Sequence, residues 1–260
     1  MLEIEATLII CSETPQKVVA NVAALSSAGQ YALQPRPPAS IRDYYLDTTE
    51  QILRQANFNL RLREIDQALW LTLKGPPKRL AEGISERLEL EIPWSPDSLA
   101  RIKADLASRD IMLPTIPLTP GSTSPLVALA AAGLETIQQR DNHRQIRNIR
   151  DCAIPDNPPL AELSIDSVVY HFGQRPIRHY EVEIEAKSEA GVTALPGLTQ
   201  GLADQYPSTL RRWGHGKLAT GRAIEALLEQ GQLDSLLGND GELMPSAYLE
   251  ILDHLQYRMS

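Results

Sequence analysis

Between residues 2 and 10 the chain alternates. Leu2, Ile4, Ala6 and Leu8 fall on one face of an extended strand, and Glu3, Glu5 and Thr7 fall on the other, because successive strand side chains point to opposite sides. The same period of two recurs at Phe58–Glu64, where Phe58, Leu60 and Leu62 oppose Asn59, Arg61 and Arg63. In Leu69–Lys74, the residues Leu69, Leu71 and Leu73 oppose Trp70, Thr72 and Lys74. In Ser85–Ile92, the residues Leu88, Leu90 and Ile92 oppose Arg87, Glu89 and Glu91. Two further runs behave alike: Ala161–Tyr170, with Glu162, Ser164 and Asp166 on its polar face, and His179–Lys187, with Glu181, Glu183 and Glu185. Arg42–Thr48 reads as another strand, and Leu134–Arg140 with Arg144–Arg150 as a hairpin about Asp141-Asn142.

Helix-start chemistry punctuates the strands. Thr14-Pro15 predicts an N-cap followed by proline in the first turn, with a helix to about Ser27. Ser95-Pro96-Asp97 repeats the signature and predicts a helix to about Arg109. Helices are also expected over Gly191–Gln205 and Lys217–Gln230. Pro245–Tyr257 is amphipathic, with a stripe of Tyr248, Leu249, Leu252 and Leu255. Gln34–Pro38, Gly75–Gly83 and Pro155–Pro159 read as loops or turns, and the Pro/Thr/Ser-rich Ile111–Ser124 as the connection between two strand-rich halves. About eight mostly antiparallel strands with helices at the joints place the chain in the α+β class.

Composition narrows the function classes. The chain has 260 residues, 43% hydrophobic and 22% charged, which suits one large domain or a domain with an appendage. A formal charge of −8 argues against broad binding to nucleic acid or anionic membrane. The two cysteines, Cys11 and Cys152, form no CxxC or Cys/His cluster, so no zinc site is expected and both are read as reduced thiols. The apolar run near Val127–Leu134 is too short to span a bilayer, and the N-terminus lacks a basic leader pattern, so a cytoplasmic protein is expected.

The polar faces carry the candidate chemistry. An antiparallel sheet commonly exposes one polar face to water, and surface ion pairs there contribute little. Two details argue otherwise. Carboxylates are segregated, as in Glu3-x-Glu5, Glu89-x-Glu91 and Glu181-x-Glu183-x-Glu185, and such clusters suit hard oxygen ligation of Mg2+ or Mn2+. Arginine is chosen at positions 61, 63 and 87, and its planar fork suits phosphate oxygens. Eight strands closed into a barrel can turn such stripes inward around a small ligand.

At this point the sequence resembles the CYTH superfamily, the triphosphate tunnel metalloenzymes. Glu3-Ile4-Glu5-Ala6-Thr7 resembles the N-terminal ExExK signature, and Tyr45-Leu46-Asp47-Thr48 the Y-x-D-T strand. Leu60-Arg61-Leu62-Arg63 resembles LRxR, Leu71–Pro76 resembles LTxKGP, and Arg87–Glu91 resembles RxExE. Arg140, Asp166 and Glu181–Glu185 fall where the second half supplies an Arg, an Asp and an ExE pair, and Gly216–Gly221 resembles SKxxxG. The resemblance covers about residues 1–225. It implies an eight-stranded, mainly antiparallel closed β-barrel tunnel with helices outside, over residues 1–230, followed by a helical tail over 231–260.

The resemblance also implies roles. Glu3, Glu5, Glu89, Glu91, Asp166, Glu183 and Glu185 would hold Mg2+ or Mn2+. Arg61, Arg63, Lys74, Arg87, Arg140, Arg144 and Lys217 would grip the triphosphate, with Glu3, Glu5, Lys74 and Arg87 closest to the chemistry. The implied activity is hydrolysis of inorganic triphosphate or a small organic triphosphate. The alternatives are a class IV adenylate cyclase and a polyphosphate- or nucleotide-binding module without efficient turnover. No nucleic acid or membrane partner is expected, and the protein is read as a monomer or homodimer. Two positions depart from the pattern. Thr7 stands where the signature has Lys, removing a cation worth about 2–4 kcal/mol if buried, and Gly216 stands where Ser is usual. The histidines show no ligand spacing. His143 and His179 are read as incidental, and His215 as a turn residue near Lys217.

Overall fold

The computed structural model describes residues 1–114, 124–154, 157–173 and 175–257. In chain order the elements are β1 (Leu2–Ile10), α1 (Pro15–Ala23), β2 (Ser27–Ala28), β3 (Tyr31–Asp47), α2 (Ile52–Gln55), β4 (Asn59–Ile65), β5 (Ala68–Lys74), β6 (Lys78–Ala81) and β7 (Ile84–Pro93). They continue with α3 (Pro96–Ala107), α4 (Pro125–Ala131), β8 (Glu135–Asp151), β9 (Ala161–Phe172), β10 (Arg175–Ala186), α5 (Glu189–Gln205), β11 (Leu210–Arg212), α6 (Lys217–Glu229) and α7 (Ala247–Tyr257). The strands hydrogen-bond in the order β11-β1-β10-β9-β8-β3-β4-β5-β7-β6, with β2 beside β3. β1 also pairs with β7, so β1, β10, β9, β8, β3, β4, β5 and β7 form an antiparallel ring of eight. The α+β class is that expected from the alternation, and the ring of eight is that implied by the CYTH resemblance.

The chain divides into two compact units. The first comprises Met1–Leu2, Ser40–Lys78 and Arg87–Asp141; the second comprises Glu3–Ala39, Arg79–Glu86 and Asn142–Ser260. In the first unit Leu60, Leu62, Leu71 and Leu73 of β4 and β5 share a core with Leu99, Ile102 and Leu106 of α3. The capping signature at α3 holds: the Ser95 hydroxyl accepts from the Ser98 amide (3.1 Å), and the Ser98 hydroxyl accepts from the Ser95 amide (3.0 Å). Asp47 caps the short α2. Its buried carboxylate accepts from the amides of Thr48 (2.8 Å), Leu53 (2.9 Å) and Arg54 (3.0 Å).

The second unit has two apolar clusters. Leu8, Leu163, Ile165, Val182 and Ile184 pack with Val18 and Val22 of α1 and Leu198 and Leu202 of α5. Val168, Tyr170 and Ile177 pack with Trp213, Ile224 and Leu227 and with Tyr248 and Ile251 of α7. Of the expected α7 stripe, Tyr248 and Leu255 are buried and Leu249 is exposed. Thr14 stands at the N-cap of α1 without a side-chain cap hydrogen bond.

Four local expectations are corrected. Gln34–Pro38 is not a loop but the exposed middle of β3; proline's fixed φ is compatible with extended backbone, and an exposed stretch tolerates its missing N–H. Gly75–Gly83 contains the short strand β6. Asp141-Asn142 is not a turn, and β8 runs unbroken through it. A two-residue turn of that kind needs positive φ at both positions, which neither adopts, and Asp141 instead accepts from Arg42 at 2.7 Å. α4 lies in the apolar run near Val127 and was not predicted. Residues 115–123 of the expected connection and 155–156 of the expected turn lie outside the described residues.

The β4–β5 hairpin turns through Asp66 and Gln67, both with positive φ (48° and 72°). Gln67 is exposed and, unlike asparagine or glycine, is poorly suited to that region. Gln67→Gly is expected to raise the unfolding free energy by about 0.5–1 kcal/mol, measured by urea denaturation.

Candidate functional site

The alternating strands bury both faces. Leu60 and Leu62 enter the core, yet Arg61 and Arg63, which alternate with them, are also buried. On β1 Leu2 is exposed and Ile4 half-buried, while Ala6 and Leu8 are buried, and so are Glu3, Glu5 and Thr7. Such side chains are withdrawn from water, so each ionised group needs counter-charge close by.

In the first unit three guanidiniums converge on Asp43. Arg63 donates from Nε to Asp43 Oδ1 (2.7 Å) and from Nη2 to Oδ2 (2.9 Å). Arg140 donates from Nη2 to Asp43 Oδ2 (2.8 Å) and to the Tyr45 hydroxyl (2.6 Å), and its guanidinium lies 4.7 Å from the Tyr45 ring centre. Register explains the meeting: on β3 and β4, Asp43 stands opposite Arg63 and Tyr45 opposite Arg61. Burial alone would raise the Asp43 carboxyl, but Arg63, Arg61 and Arg140 hold it well below its ordinary 3.8.

Arg61 is less well satisfied. Its side chain is 7% exposed, with Asp43 at 3.8 Å, Glu89 at 3.8 Å and Glu91 at 3.9 Å. Its Nη1 reaches the Tyr45 hydroxyl at 3.4 Å, and its Nε has no hydrogen-bond partner. The neighbouring expected residues are engaged with one another. Lys74 stands opposite Glu89 in register and reaches its carboxylate at 3.1 Å. Glu91 is exposed and accepts from the Thr72 hydroxyl at 2.9 Å. Arg87 sits half-buried on β7.

In the second unit the carboxylates cluster. Register sets Asp166 of β9 opposite Glu181 of β10. Glu183 faces Ser164 on one side and Thr7 of β1 on the other, and Glu185 faces Glu162 and Glu5. Ligand oxygens of Asp166, Glu181 and Glu183 lie within 4.8 Å of one another. Glu181 was not among the expected metal ligands, although its i, i+2 spacing from Glu183 puts it on the same face. Glu3, Glu5 and Glu185 lie outside this close triad, and Glu185 pairs with Lys187 at 2.6 Å.

Two cations enter the triad. Arg144 donates from Nε to Asp166 Oδ1 (2.8 Å), and from Nη2 to Asp166 Oδ2 (2.6 Å) and Glu183 Oε2 (2.7 Å). Lys217, at the first turn of α6, reaches Asp166 Oδ2 (3.0 Å) and Glu183 Oε1 (2.7 Å) and pairs closely with Glu181 Oε1. Burial would lower the Lys217 amine, but Glu181, Glu183 and Asp166 raise it well above its ordinary 10.5. Burial would raise Asp166, but Arg144 and Lys217 lower it. Glu183 thus receives two cations although residue 7, opposite it, is Thr. Hard oxygen donors at these spacings suit a divalent cation, which here would compete with Lys217 for the same oxygens. The Glu5–Glu185 pair, with like charges opposite each other, also suits one. His215 packs edge-on against Trp213, with ring centres 5.5 Å apart.

The CYTH domain family model matches residues 23–196. That span includes Arg61, Arg63, Lys74, Arg87, Arg140, Arg144, Asp166, Glu183 and Glu185, but not Glu3, Glu5, Thr7 or Lys217. No curated protein matches the chain in sequence. Among solved structures, a Hippeastrum protein assigned as an adenylyl cyclase and described as revealing a dominant triphosphatase activity is 18% identical, with a TM-score of 0.55 over 86% of this chain and 96% of that one. A Bacillus halodurans protein assigned as an adenylate cyclase is 18% identical, with a TM-score of 0.46 over 83% and 95% of the two chains. The Mimivirus capping enzyme triphosphatase is 11% identical, with a TM-score of 0.39 over 77% and 87%.

Removing the Asp43 charge leaves three buried guanidiniums without their shared carboxylate. Asp43→Asn is expected to lower the unfolding free energy by about 3–5 kcal/mol at neutral pH. Because the folded carboxyl lies below its ordinary 3.8, this stabilisation is complete above that value and lost as pH falls through the folded one. The wild-type-minus-variant difference in urea titrations should therefore stay level from neutral pH down to about 5 and narrow only below about 4.

Proposed function

The chain belongs to the CYTH domain family, and from that premise we propose that it hydrolyses inorganic triphosphate or a small organic triphosphate with the help of a divalent cation. The observation that carries the reading is the buried arginine cluster of the first unit. Three guanidiniums, those of Arg61, Arg63 and Arg140, share the one buried carboxylate of Asp43. The Arg61 Nε is buried with no partner. A buried guanidinium with an unsatisfied N–H is a strong receptor for a phosphate oxygen. The dominant triphosphatase activity described for the Hippeastrum protein supports the same reading.

Arg61, Arg63 and Arg140 bind non-bridging phosphate oxygens, and Lys74, Arg87, Arg144 and Lys217 add charge along the phosphate chain. Preorganised positive charge stabilises the transferring phosphoryl group without reorganisation at the moment of reaction. Glu3, Glu5, Asp166, Glu183 and Glu185 would hold Mg2+ or Mn2+. When bound, that ion supplies charge neutralisation at the phosphates and orientation of the attacking water. Glu3 or Glu5 accepts the proton that the attacking water loses. Glu89 and Glu91, which lie beside Lys74 and Arg61, would add to the carboxylates that hold the metal.

The reading is tested by offering the purified protein tripolyphosphate, ATP and thiamine triphosphate with Mg2+ or Mn2+. Phosphate release from tripolyphosphate that stops on chelation is expected; cyclic AMP from ATP, or tight binding with no product, would overturn it. Arg61→Ala should lower kcat/KM by about 10²–10³-fold. Thr7→Lys should raise turnover if the missing cation weakens the site, and unchanged turnover would show that Arg144 and Lys217 already supply that charge.

A further inference from the structure

Behind Lys217 the second unit holds a buried hydrogen-bonded chain that none of the roles above uses. Glu181, on β10, spends one oxygen on the Lys217 ammonium and the other, Oε2, on His179 Nε2 at 2.8 Å. The other ring nitrogen, Nδ1, lies 2.9 Å from the Tyr248 hydroxyl on α7. His179, Glu181 and Tyr248 are all buried among apolar neighbours. The Tyr170 hydroxyl, on the next strand, donates to the Lys217 carbonyl at 2.8 Å and ties down the same helix start.

The chain has a direction. An ionised Glu181 offers only lone pairs, so Nε2 must carry a proton and donate to it. In the neutral imidazole Nδ1 is then an acceptor, and Tyr248 O–H donates to it. Burial pushes the Tyr248 phenol well above its ordinary value, outweighing a backbone hydrogen bond from Tyr180 that acts the other way, so it keeps that proton. Each link thus fixes the next: phenol to imidazole, imidazole to carboxylate, carboxylate to ammonium.

We propose that His179 and Tyr248 are positioning residues for Lys217, so that the C-terminal helix α7 is a working part of the phosphate-binding site rather than an appendage. A lysine amine on a four-carbon stem has many rotamers, and aiming it costs conformational entropy each time it engages a phosphate. A carboxylate held from behind removes that freedom in advance. Without the relay, Glu181 can rotate, and Lys217 can follow it away from the triphosphate. The proposal rests on the reading of Lys217 as a phosphate-binding residue.

The test compares Tyr248→Phe, His179→Leu and His179→Gln in the full-length protein, with Ile251→Ala as a control. Ile251 lies in the same apolar cluster and takes no part in the chain. Tyr248→Phe and His179→Leu are expected to lower kcat/KM for tripolyphosphate by about tenfold. His179→Gln, which keeps a donor for Glu181, should recover most of it. Ile251→Ala should lower Tm yet leave kcat/KM within about twofold. If all four variants lose efficiency only in step with Tm, the relay is structural and the proposal is wrong. A second readout needs no activity: the Lys217 ammonium resonance in nitrogen-15 NMR should be present in the wild type and His179→Gln and broadened or shifted in His179→Leu and Tyr248→Phe. An unchanged Lys217 signal in the latter two overturns the relay. A protein that shows the expected signals but hydrolyses no triphosphate overturns the functional reading instead.

Discussion

Asp43, Arg61, Arg63 and Arg140 in one unit, and Asp166 and Glu181 in the other, are strand residues whose ionisable groups are withdrawn from water, and this constraint shapes both units. Burying an uncompensated charge is far more costly than any surface ion pair is favourable. The two units meet the constraint with opposite balances. In the first, Arg61, Arg63 and Arg140 outnumber the buried Asp43 they share. In the second, Asp166, Glu181 and Glu183 outnumber Arg144 and Lys217. The first cluster is thus built mainly of cations around one buried carboxylate, and the second mainly of carboxylates around two cations.

The arginines show why residue type matters. Asp43 is gripped in a two-point fork by Arg63, and a lysine could make only a point contact there. Lys217 does what arginine could not. Its compact ammonium fits between three carboxylates of two adjacent strands. Glu183, opposite Thr7, is paired from α6 and β8 rather than from β1.

Not every charged residue of the family-like motifs lies in the two charged clusters. Asp47 of the Y-x-D-T segment caps α2 with its carboxylate against three backbone amides, which is a folding role. His179, unremarkable in sequence, is placed by β10 on the same face as Glu181 and Glu183 and becomes the link to α7.

The strand alternation, the segregation of Glu and Arg into separate stripes, and the Ser95-Pro96 helix start were legible in the sequence because each is a short-range pattern with a fixed period or a local hydrogen bond. From them followed the α+β class and the residues that bear charge, while the closed ring was an expectation of the family resemblance. The long β3 and β8 were not legible, because proline and Asp-Asn carry turn propensity locally and only pairing with neighbouring strands holds them extended. The alternation by itself could not say that the polar faces are buried, since period two reads the same whether a face meets water or a packed interior; only the segregation of Glu and Arg pointed that way. Partner choice was likewise decided by the tertiary structure: that Asp43 serves three arginines, and that Lys217 meets Asp166, Glu181 and Glu183, depends on strand register and on where α6 begins, which bring together residues far apart in the chain.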